Sequence, residues 1–407
     1  MSPDAARALR PSLKAARFEE SVIREMTRLF LDRQRRRPDL PAVNLAQGFP
    51  DFAAPEAMKE AACRAIMGDV NQYAVTWGAP ALREAIAENT ARFYGVRPDP
   101  ATEITVTCGA TEAMLAALLA VTDPGDEVIV FEPFYENYGP DAVLSGATPR
   151  FVTLHAPEWT FDPEELAAAF NDRTRAIIVN TPHNPTGKVF GRAELEQIAA
   201  LCERWDVAVL TDEIYEHLTY DGERHVRPAD VPGLRERTIT ISGLSKTFSA
   251  TGWRIGWLIA PPEATSAIRK VHDFLTVGAA APLQEAAAVA LGFSDDYFAQ
   301  LAHTYRAKRD FLLPVLSGAG FAPVGTPRGA YYIMTDARAL LDATRLPDDA
   351  ALARWMIEHA CVATVPGSSF FRRETPDGKR LIRFCYCKKD ETLERAAALL
   401  AALPSRA

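Results

Sequence analysis

Apolar residues recur along this 407-residue chain with two different periods. Between Phe18 and Arg36, Val22, Ile23, Met26, Leu29, Phe30 and Leu31 follow the spacing of an amphipathic helix, and Pro38 ends the run. Glu56 to Met67 and the stretch after Pro80 repeat that spacing, and Val43 to Ala46, ahead of both, reads as a short strand. From Ile104 onward the pattern changes. Short β-branched or apolar runs at Ile104 to Thr107, Val128 to Phe131, Arg150 to Leu154, Ala176 to Asn180, Val207 to Thr211, Ile239 to Ile241 and Gly256 to Ala260 predict strands. Helical patterns at Ala113 to Val121, Pro163 to Phe170 and Leu195 to Arg204 fall between them. Ala176 to Asn180 is apolar without alternation, as a parallel strand covered on both faces requires. This order predicts right-handed βαβ units and a largely parallel sheet. Beyond Pro262 helices dominate, with long ones at Leu283 to Leu291 and Asp295 to Leu316. The tail mixes strands at Ala330 to Asp336 and Arg380 to Cys387 with helices at Ala350 to His359 and Asp390 to Leu403.

Composition narrows the function. The chain is 48% hydrophobic and 24% charged with net charge −8, the balance of a soluble globular protein. It has no basic stripe, which argues against nucleic acid and anionic membranes as partners. No apolar run reaches the ~18 residues of a membrane span. Six scattered cysteines without a Cys-x-x-Cys pair read as reduced thiols of a cytoplasmic protein, and Cys385 and Cys387 as buried small hydrophobes in preference to metal ligands. The Ala- and Arg-rich first seventeen residues read as a frayed terminus; they lack the apolar core of a secretory signal, and a transit peptide stays open.

The candidate chemistry lies just past the predicted strand ends, where ligands bind in open α/β sheets. Lys246 sits in ITISGLSKTFSATGWRIGW among Ser242, Gly243, Ser245, Thr247 and Ser249. A lysine desolvated in such a turn becomes a nucleophile and base, although read alone the stretch is equally an ordinary strand and turn. Arg254 follows one loop later and could hold a phosphate. Cys108-Gly109-Ala110-Thr111 joins a strand to a helix start, which is either a plain turn or an anion site. Tyr135 follows a third strand, Asn184-Pro185-Thr186-Gly187 a fourth, and Asp212-Glu213-Ile214-Tyr215 a fifth. A nucleophilic lysine, a carboxylate, an amide with a phenol, a flat aromatic and an anion pocket together match one ligand, pyridoxal 5'-phosphate.

HNPTG, DEIY and SKTFSATGWRIGW resemble the class I and II aminotransferases of fold type I. NLAQGFPDF, NQYAVTWG and IRFCYCKKDETLERA are most similar to the branch that holds kynurenine aminotransferases, cysteine-conjugate β-lyases and methionine or glutamine transaminases. The resemblance implies a large α/β domain over residues 56–290, built on a mostly parallel seven-stranded sheet between helices. It implies a smaller α+β domain over 291–407, joined by the segment 1–55. By position it implies that Lys246 bonds the cofactor aldehyde and Asp212 pairs with the ring nitrogen. Asn184 and Tyr215 would bond the 3′ oxygen, and Tyr135 would stack on the ring. Ala110, Thr111, Ser245 and Arg254 would hold the phosphate, with Tyr73 reaching the phosphate of a second subunit in a homodimer. Arg383 and the Gly48 backbone would take the substrate α-carboxylate, and Asn184 would also bind the substrate. The implied activity is ping-pong transfer of an α-amino group from an L-amino acid to a 2-oxo acid such as 2-oxoglutarate. Phe49, Trp77, Phe370 and Phe371 would wall the site for aromatic, sulfur-containing or other large neutral donors; an aspartate-type aminotransferase and a cysteine-S-conjugate β-lyase are the alternatives. Two positions depart from the family pattern. Gly243 stands where many members carry a phosphate-binding serine, which leaves Ser245 or Ser242 for that task. Thr111 stands where kynurenine aminotransferases often carry tyrosine.

Overall fold

The structure is a computed structural model that describes residues 11–403. Of the seventeen residues read as a frayed terminus, 1–10 lie outside the described residues. The central strands, numbered in chain order, are β1 (Ile104–Thr107), β2 (Glu127–Glu132), β3 (Thr148–His155), β4 (Thr160–Phe161), β5 (Thr174–Asn180), β6 (Ala208–Asp212), β7 (Thr238–Gly243) and β8 (Gly256–Ile259). They form one sheet in the order β1-β8-β7-β6-β5-β2-β3-β4. The sheet therefore has eight strands where seven were expected. The extra one is the two-residue β4, which folds back antiparallel on β3 with Phe161 opposite Leu154. Two residues are too few for any periodicity to register.

The strands from β7 through β3 pair in parallel. β8 runs antiparallel to both of its neighbours, with Gly256 opposite Thr107 on one side and Gly243 on the other. Its amino end thus shares an edge with the carboxyl ends of β1 and β7, and Arg254 arrives beside Lys246.

Alternate residues of β5 feed two different cores. Ile178 packs in the cluster containing Ala113, Met114, Val130 and Leu210, while Ile177 and Val179 pack in that of Leu195, Ile198 and Val209. Burying such a side chain contributes about 1.5–3 kcal/mol, against an ordering cost of about 1–2 kcal/mol per residue. Cover on both faces is what carries a continuous apolar strand past that cost.

Most predicted helices appear within a few residues. The first begins at Val22, later than Phe18, because the Ser21 side chain caps it by accepting from Arg24 N–H. The helix Asp295–Gly318 continues through Pro314, and Asp349–Trp355 ends in a π-helical turn, Met356–Ala360. Tyr138–Ser145, for which no helix was expected, is also a helix.

A second, four-stranded sheet holds Tyr332–Asp336 and Leu381–Cys385 at its centre. The N-terminal strand Val43–Asn44 pairs in parallel with Val362–Ala363, and Cys385 N–H donates to Leu45 O at 2.9 Å. These bonds bring Gly48 and Arg383 to the edge of the large sheet. Among the described residues no helix is long and apolar enough to cross a membrane.

Candidate active site

The strand ends surround a cavity of about 510 Å³. Gly48, Ala110, Thr111, Tyr135, Asn184, Asp212, Tyr215, Ser245, Lys246, Arg254 and Arg383 all line it. Tyr73 does not; on the single chain it is 87% exposed.

β7 runs directly into a short helical turn, Leu244–Thr247, which aims Lys246 back across the sheet edge. Its Nζ donates to Gly48 O at 3.0 Å, an oxygen that also accepts the Tyr331 hydroxyl at 2.9 Å. Burial lowers the Lys246 ammonium to about 8; the neighbouring Cys387 and Asp212 oppose this and Arg254 and Arg383 assist it. A neutral amine is therefore accessible near physiological pH.

Asp212 ends β6. Its Oδ2 accepts the Tyr138 hydroxyl at 2.7 Å and its Oδ1 the Ile214 N–H at 3.2 Å. Desolvation raises its pKa, and the Tyr138 and Ile214 donors and Lys246 pull it back. Asn180 braces the same corner: its Nδ2 donates to Asp212 O at 2.8 Å and its Oδ1 accepts Asn184 N–H at 2.7 Å. The sequence alone gives neither Tyr138 nor Asn180 a role toward Asp212, because these contacts join segments distant in the chain.

The anion cup is made of backbone and glycine. Gly109 has φ +85°, and an added Cβ there would lie 2.3 Å from Arg254 Nη2. The helix Ala110–Val121 starts at once, so its first N–H groups face the cavity. An added Cβ at Gly256 would lie 2.4 Å from Ala110 N. Arg254 has left-handed backbone, φ 54°; its Nη1 donates to Thr251 O at 3.0 Å and its Nη2 to Thr111 Oγ1 at 3.5 Å. The two candidate serines point to different places. Ser242 is buried on the far side and donates to Glu216 Oε1 at 2.7 Å, whereas Ser245 lines the cavity.

Arg383 is 1% exposed. Its Nη1 donates to Asn184 Oδ1 at 2.7 Å and its Nη2 to Ala46 O at 2.8 Å, while Nε has no partner among the described residues. The guanidinium is stacked 4.3 Å from the Tyr332 ring centre and 4.7 Å from that of Phe370. Tyr332 in turn shares a 2.9 Å hydrogen bond with the Tyr215 hydroxyl. Phe370 is held by its carbonyl, which accepts Phe134 N–H at 2.8 Å, and by the nearby ion pair between Arg372 and the buried Glu132. Phe370 and Phe371 are therefore buried supports and not walls. Of the four expected wall aromatics, only Phe49 lines the cavity; Trp77 instead stacks under Arg269.

These groups fit pyridoxal phosphate. A buried carboxylate faces a desolvated lysine, a helix start and an arginine form the cup, and a side chain at Gly109 or Gly256 would fill that cup. Residues 41–400 match the family model described as aminotransferase class I and II. The chain is 39% identical over 389 residues to human kynurenine–oxoglutarate transaminase 3, covering 89% of this chain and 85% of that protein. It superposes with TM-score 0.91 on the N-succinyldiaminopimelate aminotransferase of Mycobacterium tuberculosis, at 39% identity over 97% of this chain and all (100%) of that one. With an Escherichia coli protein of methionine aminotransferase function the TM-score is 0.89, at 36% identity and 97% and 100% coverage. Fold, cavity and sequence thus agree, and the chain belongs to the pyridoxal phosphate-dependent class I and II aminotransferases.

Proposed function

We propose that this aminotransferase takes the amino group of an aromatic, sulfur-containing or other large neutral L-amino acid and passes it to a 2-oxo acid such as 2-oxoglutarate. The observation that carries the reading is the convergence of Lys246, Asp212, Arg254 and Arg383 on one cavity. The donor class draws on the relatives' names, kynurenine–oxoglutarate transaminase and methionine aminotransferase.

When bound, pyridoxal phosphate supplies an aldehyde that takes the amine and a ring that withdraws electrons from the α-carbon. The protein does the rest. Arg383, prealigned by Asn184 and the two rings, takes the α-carboxylate and sets which α-bond stands perpendicular to the ring plane. That orientation favours proton loss over decarboxylation. Lys246 Nζ, released from the cofactor, would be the base that takes the α-proton and holds it for return. Asp212, fixed in position by Tyr138 and Asn180, would keep the ring nitrogen protonated. Asn184 and Tyr215 would donate to the 3′ oxygen, and Tyr135 would cover the ring. Ala110, Thr111, Ser245 and Arg254 would hold the phosphate.

The same reading includes a homodimer. Met67, Tyr73 and Phe274 are 83%, 87% and 91% exposed, with Ile66, Val70, Val75, Leu275 and Val277 also open. An apolar group of this size on one chain is characteristic of an interface, and Tyr73 within it would reach the partner's phosphate. A cytoplasmic location, argued from six free cysteines, belongs to the proposal too. The test is Lys246→Ala: it should abolish both turnover and the absorbance of the lysine-bonded cofactor. Full activity in that variant would refute the reading.

A further inference from the structure

Four cations line the cavity: Arg24, Lys246, Arg254 and Arg383. Three have tasks. Lys246 bonds Gly48 O, Arg383 bonds Asn184 and Ala46, and Arg254 sits in the anion cup. Arg24 has no ion pair and no side-chain hydrogen bond among the described residues, although its backbone N–H donates to Ser21 Oγ.

Helix electrostatics do not explain it. Arg24 is in the first turn of Val22–Arg36, where the macrodipole disfavours a cation, while Arg33, Arg35 and Arg36 occupy the favourable last turn. Its position is nonetheless held by a long-range latch. Ser21 Oγ and Ile23 N–H both donate to the Glu136 carboxylate, at 2.5 and 3.0 Å. Glu136 adjoins Tyr135 in sequence, and Arg24 is near enough for its charge to act on the Tyr135 phenol. The cavity's anions are otherwise engaged or distant in role: both Glu136 oxygens accept from the latch, Asp212 faces Lys246 and Tyr138, and burial raises Asp141 to about 7. Ile23 and Phe49 line the same mouth.

We infer that Arg24 is the specificity residue for a second carboxylate, at the far end of a dicarboxylic oxo-acid acceptor whose α-carboxylate is on Arg383. This rests on the aminotransferase reading and deepens it. A neutral donor side chain would lie along Ile23 and Phe49, and a five-carbon diacid would extend its far charge past them to the guanidinium. One site then serves both half-reactions, with apolar walls for one substrate and a single cation at the rim for the other.

The test uses holoenzyme of the parent and of Arg24→Gln, Arg24→Glu and Arg24→Lys. Each is titrated with glutarate and with valerate, followed by cofactor absorbance. These acids have the same chain length, differ in the far carboxylate and cannot be aminated. In parallel, single turnovers of the aminated enzyme compare 2-oxoglutarate with 2-oxopentanoate. The diacid-to-monoacid selectivity should fall by roughly tenfold or more in Arg24→Gln, as loss of a charge-assisted bond predicts. It should fall further in Arg24→Glu and recover in part in Arg24→Lys. A parent without preference for glutarate, or ratios unchanged in the Gln and Glu variants, overturns the inference. If the glutarate preference depends on Arg24 but no oxo acid is turned over, the subsite stands and the aminotransferase reading fails.

Discussion

Gly256→Ala tests whether the anion cup is built by backbone contact. An ideal Cβ at Gly256 lies 2.4 Å from Ala110 N, 2.4 Å from Gly109 C and 2.8 Å from Gly109 Cα. Ordinary contact begins near 3.4 Å, so something must move by about 1 Å. Gly256 itself is held, because it pairs with Thr107 and Gly243 in adjacent strands. The neighbours are main chain, with no flexible tip to swing aside. The strain therefore falls on Gly109 and Ala110, where the helix proposed to hold the phosphate begins. Overpacking of this kind costs roughly 1–3 kcal/mol of stability, which should leave the protein folded. A cup displaced by about 1 Å should weaken cofactor binding and lower turnover by roughly 100-fold. Titration of the apoenzyme with pyridoxal phosphate gives the affinity, circular dichroism checks the fold, and kcat at saturating cofactor separates binding from chemistry. Gly139→Ala is the control, because a Cβ there meets nothing within 4 Å. Parental affinity and kcat in Gly256→Ala would refute the account of the cup.

Tyr138→Phe removes the donor that partly offsets the burial of Asp212, so Asp212 should protonate at higher pH; the acid limb of the kcat/KM profile should move upward, and an unmoved limb would show that Tyr138 does not tune Asp212. His272 is fully buried, with Nδ1 2.7 Å from Glu112 Oε1 and Nε2 2.8 Å from Thr76 O. Desolvation acts against its imidazolium, but the Glu112 carboxylate and the Thr76 carbonyl together raise its pKa. A raised folded value means that this stabilisation is complete below the unfolded value of about 6.5 and is lost as pH rises through the folded one. The Tm difference between parent and His272→Gln should therefore be largest under acid conditions and shrink on the alkaline side; a constant difference would contradict it.

Much of this protein was legible in the order of its residues. Strand-and-helix alternation identified the α/β class, because burial on two faces or one writes a period into the sequence. The chemistry at strand ends was legible for a related reason. Asp212 closes a strand and Lys246 and the Asn184 turn follow theirs by only a few residues, so local backbone geometry already directs them to one edge. What only the tertiary structure decided depends on contacts between distant segments. The pattern marked β8 as a strand but carried no direction, and its antiparallel course is what brings Arg254 beside Lys246. The pleat of β7 sends Ser242 toward Glu216 and leaves Ser245 at the cavity. Phe370 resembled a wall until packing buried it against Arg383, and Tyr138 acquired a role only when folding brought it to Asp212. Arg24 is the furthest such case: Glu136, more than a hundred positions along the chain, fixes the turn that carries it. Periodicity encodes which face of an element is buried; which faces meet is set by the packing of the whole chain.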